Sequence, residues 1–204
     1  MMLKICGIRR MEDASYLNQY MPDFAGFILS KPFWRYVPPE AFKELALAMD
    51  EKIGRVGVFV NPTMEEIYQY ATYLDVIQLH GEETADFIEE IRENTSHDLQ
   101  IWKAARVRTP EDIRTADALP VDKLVLDSFS EVQHGGMGKV ADWELIAGNR
   151  PQKPFLLAGG ISAENAAEAA MLCPWGLDVS SGVETDRCKD SDKIRTLVEQ
   201  VRRL

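Results

Sequence analysis

The sequence predicts an α/β protein of the (β/α)8, or TIM-barrel, class. Short β-rich apolar runs alternate with amphipathic helical stretches along the chain, eight of each. Glycine-rich stretches follow the seventh and eighth runs, the two places where this fold commonly holds phosphate. No GxGxxG follows the first run, which disfavours an open, dinucleotide-binding sheet. Periodicity alone does not choose between a closed barrel and an open doubly wound sheet; the placement of the glycines favours the barrel.

In chain order the predicted strands cover residues 3–8, 24–29, 55–60, 76–80, 101–107, 123–127, 154–158 and 177–180. Between them, Met64, Ile67, Tyr68, Ala71 and Leu74 recur at helical spacing, as do Ile194, Leu197, Val198 and Val201. Pro38 and Pro39 ahead of Ala41, and Ser162 ahead of Ala163, are expected helix starts. A further helix is expected around Trp143. No low-complexity stretch or linker interrupts the alternation, so residues 1–204 are expected to form one barrel domain.

Composition narrows the function. Hydrophobic residues make up 46% and charged residues 27% of the 204, the balance of a soluble globular protein, and no apolar run reaches bilayer-spanning length. The chain shows no basic, cleavable leader, so a cytoplasmic location is expected. A formal net charge of −10 opposes nucleic acid and anionic membranes but leaves room for a small phosphorylated ligand, which local amides and one or two cations can hold. The three cysteines, Cys6, Cys173 and Cys188, cannot all pair and show no CxxC spacing, so reduced thiols are expected. His80, His97 and His134 show no metal-ligand spacing, and no metal site is expected.

In a barrel, side chains at the C-terminal strand ends face the active site. Cys6 in Lys4-Ile5-Cys6-Gly7-Ile8 stands there, a base if its thiolate forms, or else a small packed side chain. Asp127 ends the sixth run, where burial would make its carboxyl an acid; capping a turn is the alternative. Gly159-Gly160 and Ser180-Ser181-Gly182 allow close approach of backbone amides to a phosphate. Gly135-Gly136-Met137-Gly138-Lys139 suits a covering loop or a plain connection. His80, closing the fourth run, is a supporting hydrogen-bonding group or a structural histidine. Arg35 could grip a carboxylate through its planar fork, and Phe33, Trp34 and Tyr36 around it could form a binding wall or simple packing.

Seven segments, KICGI at Lys4, VGVFVN at Val56, QLHG at Gln78, LD at Leu126, GG-x-GK at Gly135, LAGG at Leu157 and DVSSGVE at Asp178, resemble the phosphoribosylanthranilate isomerases in order and cover nearly the whole chain. The resemblance implies a cofactor-free, metal-free Amadori rearrangement of an aminoaldose to an aminoketose in tryptophan biosynthesis, by a monomer or homodimer. It assigns Cys6 as general base and Asp127 as general acid, Arg35 to the anthranilate carboxylate, and Gly138, Gly159, Gly160, Ser181 and Gly182 to the phosphate. The chain departs from that family's pattern at Phe33, where a serine is usual, at Met137, where threonine or serine is favoured, and at Arg187-Cys188, which replaces the usual Pro-Gly. Two rivals remain on sequence: an isomerase of the histidine-pathway aminoaldose, whose barrels carry aspartate at the first strand end, and a barrel that binds phosphorylated ligands without turning them over.

Overall fold

The computed structural model describes residues 1–127 and 143–204. Gly138, with His134, Met137 and Lys139, lies outside them. Eight parallel strands close into a barrel in sequence order: β1 (Met2–Cys6), β2 (Phe24–Ile28), β3 (Gly54–Phe59), β4 (Val76–Leu79), β5 (Gln100–Arg106), β6 (Lys123–Asp127), β7 (Phe155–Ala158) and β8 (Gly176–Val179). Each expected strand is present, its ends shifted by no more than two residues. β1 pairs with β8 at Lys4↔Asp178, which closes the ring. Among the described residues eight α-helices follow the strands: α1 (Met11–Tyr20), α2 (Pro39–Ala48), α3 (Met64–Ala71), α4 (Ala85–Asn94), α5 (Pro110–Asp117), α6 (Trp143–Gly148), α7 (Ala166–Met171) and α8 (Ser191–Val201).

Strand alternation divides the interior into two layers. One set of side chains fills the barrel itself: Val56, Val76, Trp102, Ala104, Val125, Leu156 and Ala158, closed at the base by Phe24 and Trp175. The other set, including Ile5, Phe27, Phe59, Leu79, Leu126 and Leu177, packs against the helices. On α8 the expected face holds: Ile194, Leu197, Val198 and Val201 are all buried, each worth roughly 1.5–3 kcal/mol of transfer energy. Asp190 caps that helix, its carboxylate accepting from the amides of Asp192 and Lys193 at 3.0 and 3.1 Å.

Two local expectations are corrected. On α3, Tyr70 rather than Tyr68 faces the core, and Tyr68 is 48% exposed. Tyr70 gains edge contacts with Phe42 and Phe59 and donates its hydroxyl to the Val37 carbonyl at 3.3 Å, which outweighs simple spacing. Ser162 does not start α7. It opens one turn, with Ala166 N donating to its carbonyl at 3.0 Å, and the Asn165 side chain ties that turn to Ser162 N and to the Gly160 carbonyl. The regular helix begins at Ala166. Pro38 and Pro39 do begin α2, as cap and first residue.

After β8 the chain makes a short 3-10 turn, Ser181–Val183, then a two-stranded antiparallel hairpin of β9 (Glu184–Thr185) and β10 (Cys188–Lys189). Asp186 and Arg187 at its tip have φ of 51° and 61°, the paired left-handed conformation of a tight two-residue hairpin turn.

Candidate active site

A cavity of about 270 Å³ opens at the C-terminal ends of the strands. β1 brings Cys6 to it, β4 leads to His80, β6 ends in Asp127 and β8 contributes Asp178. The loops after β7 and β8 add Gly159, Gly160, Ser181 and Gly182. Arg35 reaches the same space from the loop after β2, which folds back so that Tyr36 bridges Ile28. Of the sequence-expected site residues, the eight that are described all line one cavity. A hollow of about 420 Å³ between α3 and α4 lies by Asp75 and Leu99, before β4 and β5 begin, at the opposite end from these groups.

The glycine loops are in contact with each other. A side-chain carbon at Gly182 would stand 1.9 Å from the Ile161 carbonyl oxygen, so only glycine lets the β8 loop close on the β7 loop. Gly160, at φ +65°, adopts the left-handed turn leading toward α7. Two amide-rich stretches are thereby packed side by side at one end of the cavity.

Arg35 is anchored rather than loose. Its Nε and Nη2 donate to the Glu184 carboxylate at 3.2 and 2.7 Å, and its guanidinium lies 4.1 Å from the Trp34 ring centroid. Buried Lys189 donates to the same carboxylate at 2.8 Å and to the Ser180 carbonyl at 2.9 Å. Burial pulls the Lys189 ammonium down from its usual range against Glu184, while the Glu184 carboxyl, despite burial, is held low by its hydrogen bonds from Arg35 and Lys189. Trp34, 52% exposed, also has the guanidinium groups of Arg9 and Arg187 within 5.4 and 5.5 Å of its ring. Phe33 and Trp34 are exposed, whereas the Tyr36 hydroxyl meets that of Tyr70 at 3.2 Å; of this loop Arg35 lines the cavity. The turn residue Arg187 adds a cation beside Trp34.

Burial also shifts the ionisable groups at the cavity. It pushes the Cys6 thiol up, against the neighbouring Lys4 ammonium. It pushes the His80 imidazole down, against Asp127, so His80 is neutral at physiological pH. Among the described residues, Gln78 Oε1, His80 Nε2 and Asp178 Oδ1 are buried without a hydrogen-bond partner, and all three residues line the cavity. Three unpaired polar atoms around one hollow suit a polar ligand. Gln78 and Asp178 were not singled out from sequence; the signal available was strand alternation, since they lie two residues from His80 and Ser180. Cys6, Cys173 and Cys188 are free thiols, and among the described residues no group of three or more histidine, cysteine or acidic side chains is placed to hold a metal ion.

A closed (β/α)8 barrel with ionisable side chains converging at the C-terminal rim defines a barrel enzyme acting on a small molecule. The chain belongs to the N-(5′-phosphoribosyl)anthranilate isomerase family, whose model matches residues 3–200. It is 41% identical to the N-(5′-phosphoribosyl)anthranilate isomerase of Acetivibrio thermocellus, covering 98% of this chain and 95% of that one. It is 40% identical to that of Caldanaerobacter subterraneus, covering 98% and 97%. Its fold is similar to phosphoribosyl anthranilate isomerase from Thermotoga maritima, with a TM-score of 0.86 and 33% identity over the whole of both chains. A phosphoribosyl anthranilate isomerase in complex with reduced 1-(o-carboxyphenylamino)-1-deoxyribulose 5-phosphate is similar at a TM-score of 0.84 and 32% identity, again over both whole chains. Among the described residues, no helix is long and apolar enough to cross a membrane.

Proposed function

We propose that this chain, as one catalytic barrel spanning 1–204 and acting in the cytoplasm as a monomer or homodimer, isomerises N-(5-phosphoribosyl)anthranilate to 1-(2-carboxyphenylamino)-1-deoxy-D-ribulose 5-phosphate in tryptophan biosynthesis. The observation that carries the reading is the convergence of Cys6 and Asp127 with the two glycine loops on one cavity. Asp127 gives a proton to the furanose oxygen, and the C1′–O bond breaks as the nitrogen lone pair forms the iminium. The Cys6 thiolate then takes the C2′ proton. The C–H electron pair becomes C1′=C2′, the iminium pair returns to nitrogen, and the enolamine tautomerises to the ketone.

The backbone amides at Gly159, Gly160, Ser181 and Gly182 receive the phosphate, with Gly138 assigned there by the family pattern. Glu184 occupies one edge of Arg35; the guanidinium has five donors, and those left over meet the anthranilate carboxylate. His80, neutral, supplies a hydrogen bond rather than a charge. A thiol at the first strand end, where barrels for the histidine-pathway aminoaldose carry aspartate, favours the anthranilate substrate.

Purified protein mixed with freshly made phosphoribosylanthranilate should abolish its anthranilate-type fluorescence at a rate proportional to enzyme. Turnover of the histidine-pathway aminoaldose but not of this substrate would reject the assignment; binding of product analogue with no turnover of either would leave a ligand-binding barrel.

A further inference from the structure

Lys4 has no part in the mechanism above, yet it is among the most deeply buried side chains in the molecule, 0% exposed. It stands two residues before Cys6 on β1, so both side chains point into the barrel, Lys4 one layer deeper. Its ammonium donates to Asp178 Oδ2 at 2.8 Å across the β1–β8 seam. Gly26 on β2 shows how close the thiol and the lysine lie. A side-chain carbon there would meet Cys6 Sγ at 2.8 Å and Lys4 Cε at 3.0 Å. Absence of a side chain at Gly26 therefore leaves one small space in which sulfur and lysine meet.

A buried ammonium is costly unless paired. Asp178 provides the pair but spends one oxygen on it, and Oδ1 keeps no partner among the described residues. An ion pair built for stability alone would use both oxygens. The groups facing Cys6 are Lys4 from β1, Asp178 from β8 and Lys189 from β10, with Arg35, His80 and Asp127 around the same cavity and an uncharged glycine on β2. Lys4 is the innermost cation of this set.

We propose that Lys4, held beneath Cys6 by Asp178, is a positioning residue that sets the ionisation of the Cys6 thiol and so supplies the thiolate used in the isomerisation. It moves no proton itself; its fixed charge stabilises sulfur as the anion after the thiol proton has left to solvent. Burial draws Lys4 toward neutrality, but Asp178 and Cys6 more than reverse this, so the charge persists. The proposal rests on Cys6 being the base, and its test separates the two.

Alkylation of Cys6 by iodoacetamide, followed across pH by mass spectrometry of the Cys6 peptide, reads thiolate formation without reference to catalysis. In Lys4→Met the alkylation profile should move to higher pH by about one unit or more, slowing reaction near neutral pH about tenfold. The acidic limb of kcat should move with it while KM changes by less than about threefold, a split that loss of packing alone does not give. If stranding Asp178 unfolds Lys4→Met, the double variant Lys4→Met/Asp178→Leu replaces the whole pair by apolar groups, a change buried pairs commonly tolerate. It should show a smaller displacement in the same direction, because Asp178 pushes the thiol up by less than Lys4 pulls it down. A profile superimposable on wild type in either folded variant overturns the proposal. A displaced profile alongside full turnover by Cys6→Ala would uphold Lys4's hold on the thiol and remove Cys6 as the base.

Discussion

Two of the buried lysine–carboxylate pairs among the described residues lie on opposite faces of the barrel wall. Lys103 on β5 lies between Trp102 and Ala104, which fill the barrel, so it points outward into the helix layer. It meets Glu83 at 2.6 Å, and Glu83 is saturated: one oxygen accepts from the Asn61 and Gly81 amides at 2.9 Å, the other from Lys103 and Gly81. Lys4 points inward, and its partner Asp178 keeps an oxygen unpaired at the cavity. The same chemistry serves two ends. A fully satisfied pair fastens the loops after β3 and β4; a half-satisfied one stands under the Cys6 thiol. Polar groups inside the barrel should therefore govern turnover, and those in the helix layer should govern stability.

The largest effect that would sharpen this contrast is expected of Asp127→Asn, an inward-facing group at the end of β6. Turnover should fall by roughly 10² to 10⁴, since the amide cannot donate an acidic proton, with the melting midpoint unchanged. Unaltered kcat and pH profile would end its role as acid. In the helix layer, Lys103→Met strands the Glu83 carboxylate and should lower the unfolding free energy by about 3–5 kcal/mol, measured by urea titration, while kcat and KM of the folded protein stay the same. A stable but inactive Lys103→Met would break the division.

Arg35→Ala should weaken binding of a product analogue by roughly 2–5 kcal/mol, and Arg35→Lys should recover only part, having charge without the planar fork. Glu184 keeps Lys189 at 2.8 Å, so the fold should tolerate the change. An analogue without the carboxylate should bind wild type and Arg35→Ala equally; equal losses for both ligands would move Arg35 to the phosphate or the scaffold. The smallest effect concerns pH. Burial holds His80 below its usual value, so the unfolded chain binds the extra proton. Its contribution to stability is complete above the unfolded value of about 6.5 and is lost as pH falls below it, with a slope of at most about 1.4 kcal/mol per pH unit. His80→Asn should remove that slope; an identical slope in the variant would show His80 to be solvated.

The barrel was legible because its strands are short apolar runs that no other element resembles, and because rim position follows from strand order alone. Cys6, Asp127 and the glycine loops could be read that way. Tyr70 could not, since its burial depends on Phe42 and Phe59 from neighbouring elements. Nor could the Arg35–Glu184–Lys189 cluster, whose members meet only because a hairpin after β8 folds toward the loop after β2. Asp178 and Lys4 were visible as letters in recognised motifs, but their pairing depends on the strand that closes the barrel, a contact spanning 174 positions.

The role of Cys6 as base is tested most directly by turnover of Cys6→Ala, followed by loss of anthranilate-type fluorescence. Cys6→Ala should fold, bind product analogue normally and turn over at least about 100-fold more slowly than wild type. Near-normal turnover by that folded variant would contradict that role.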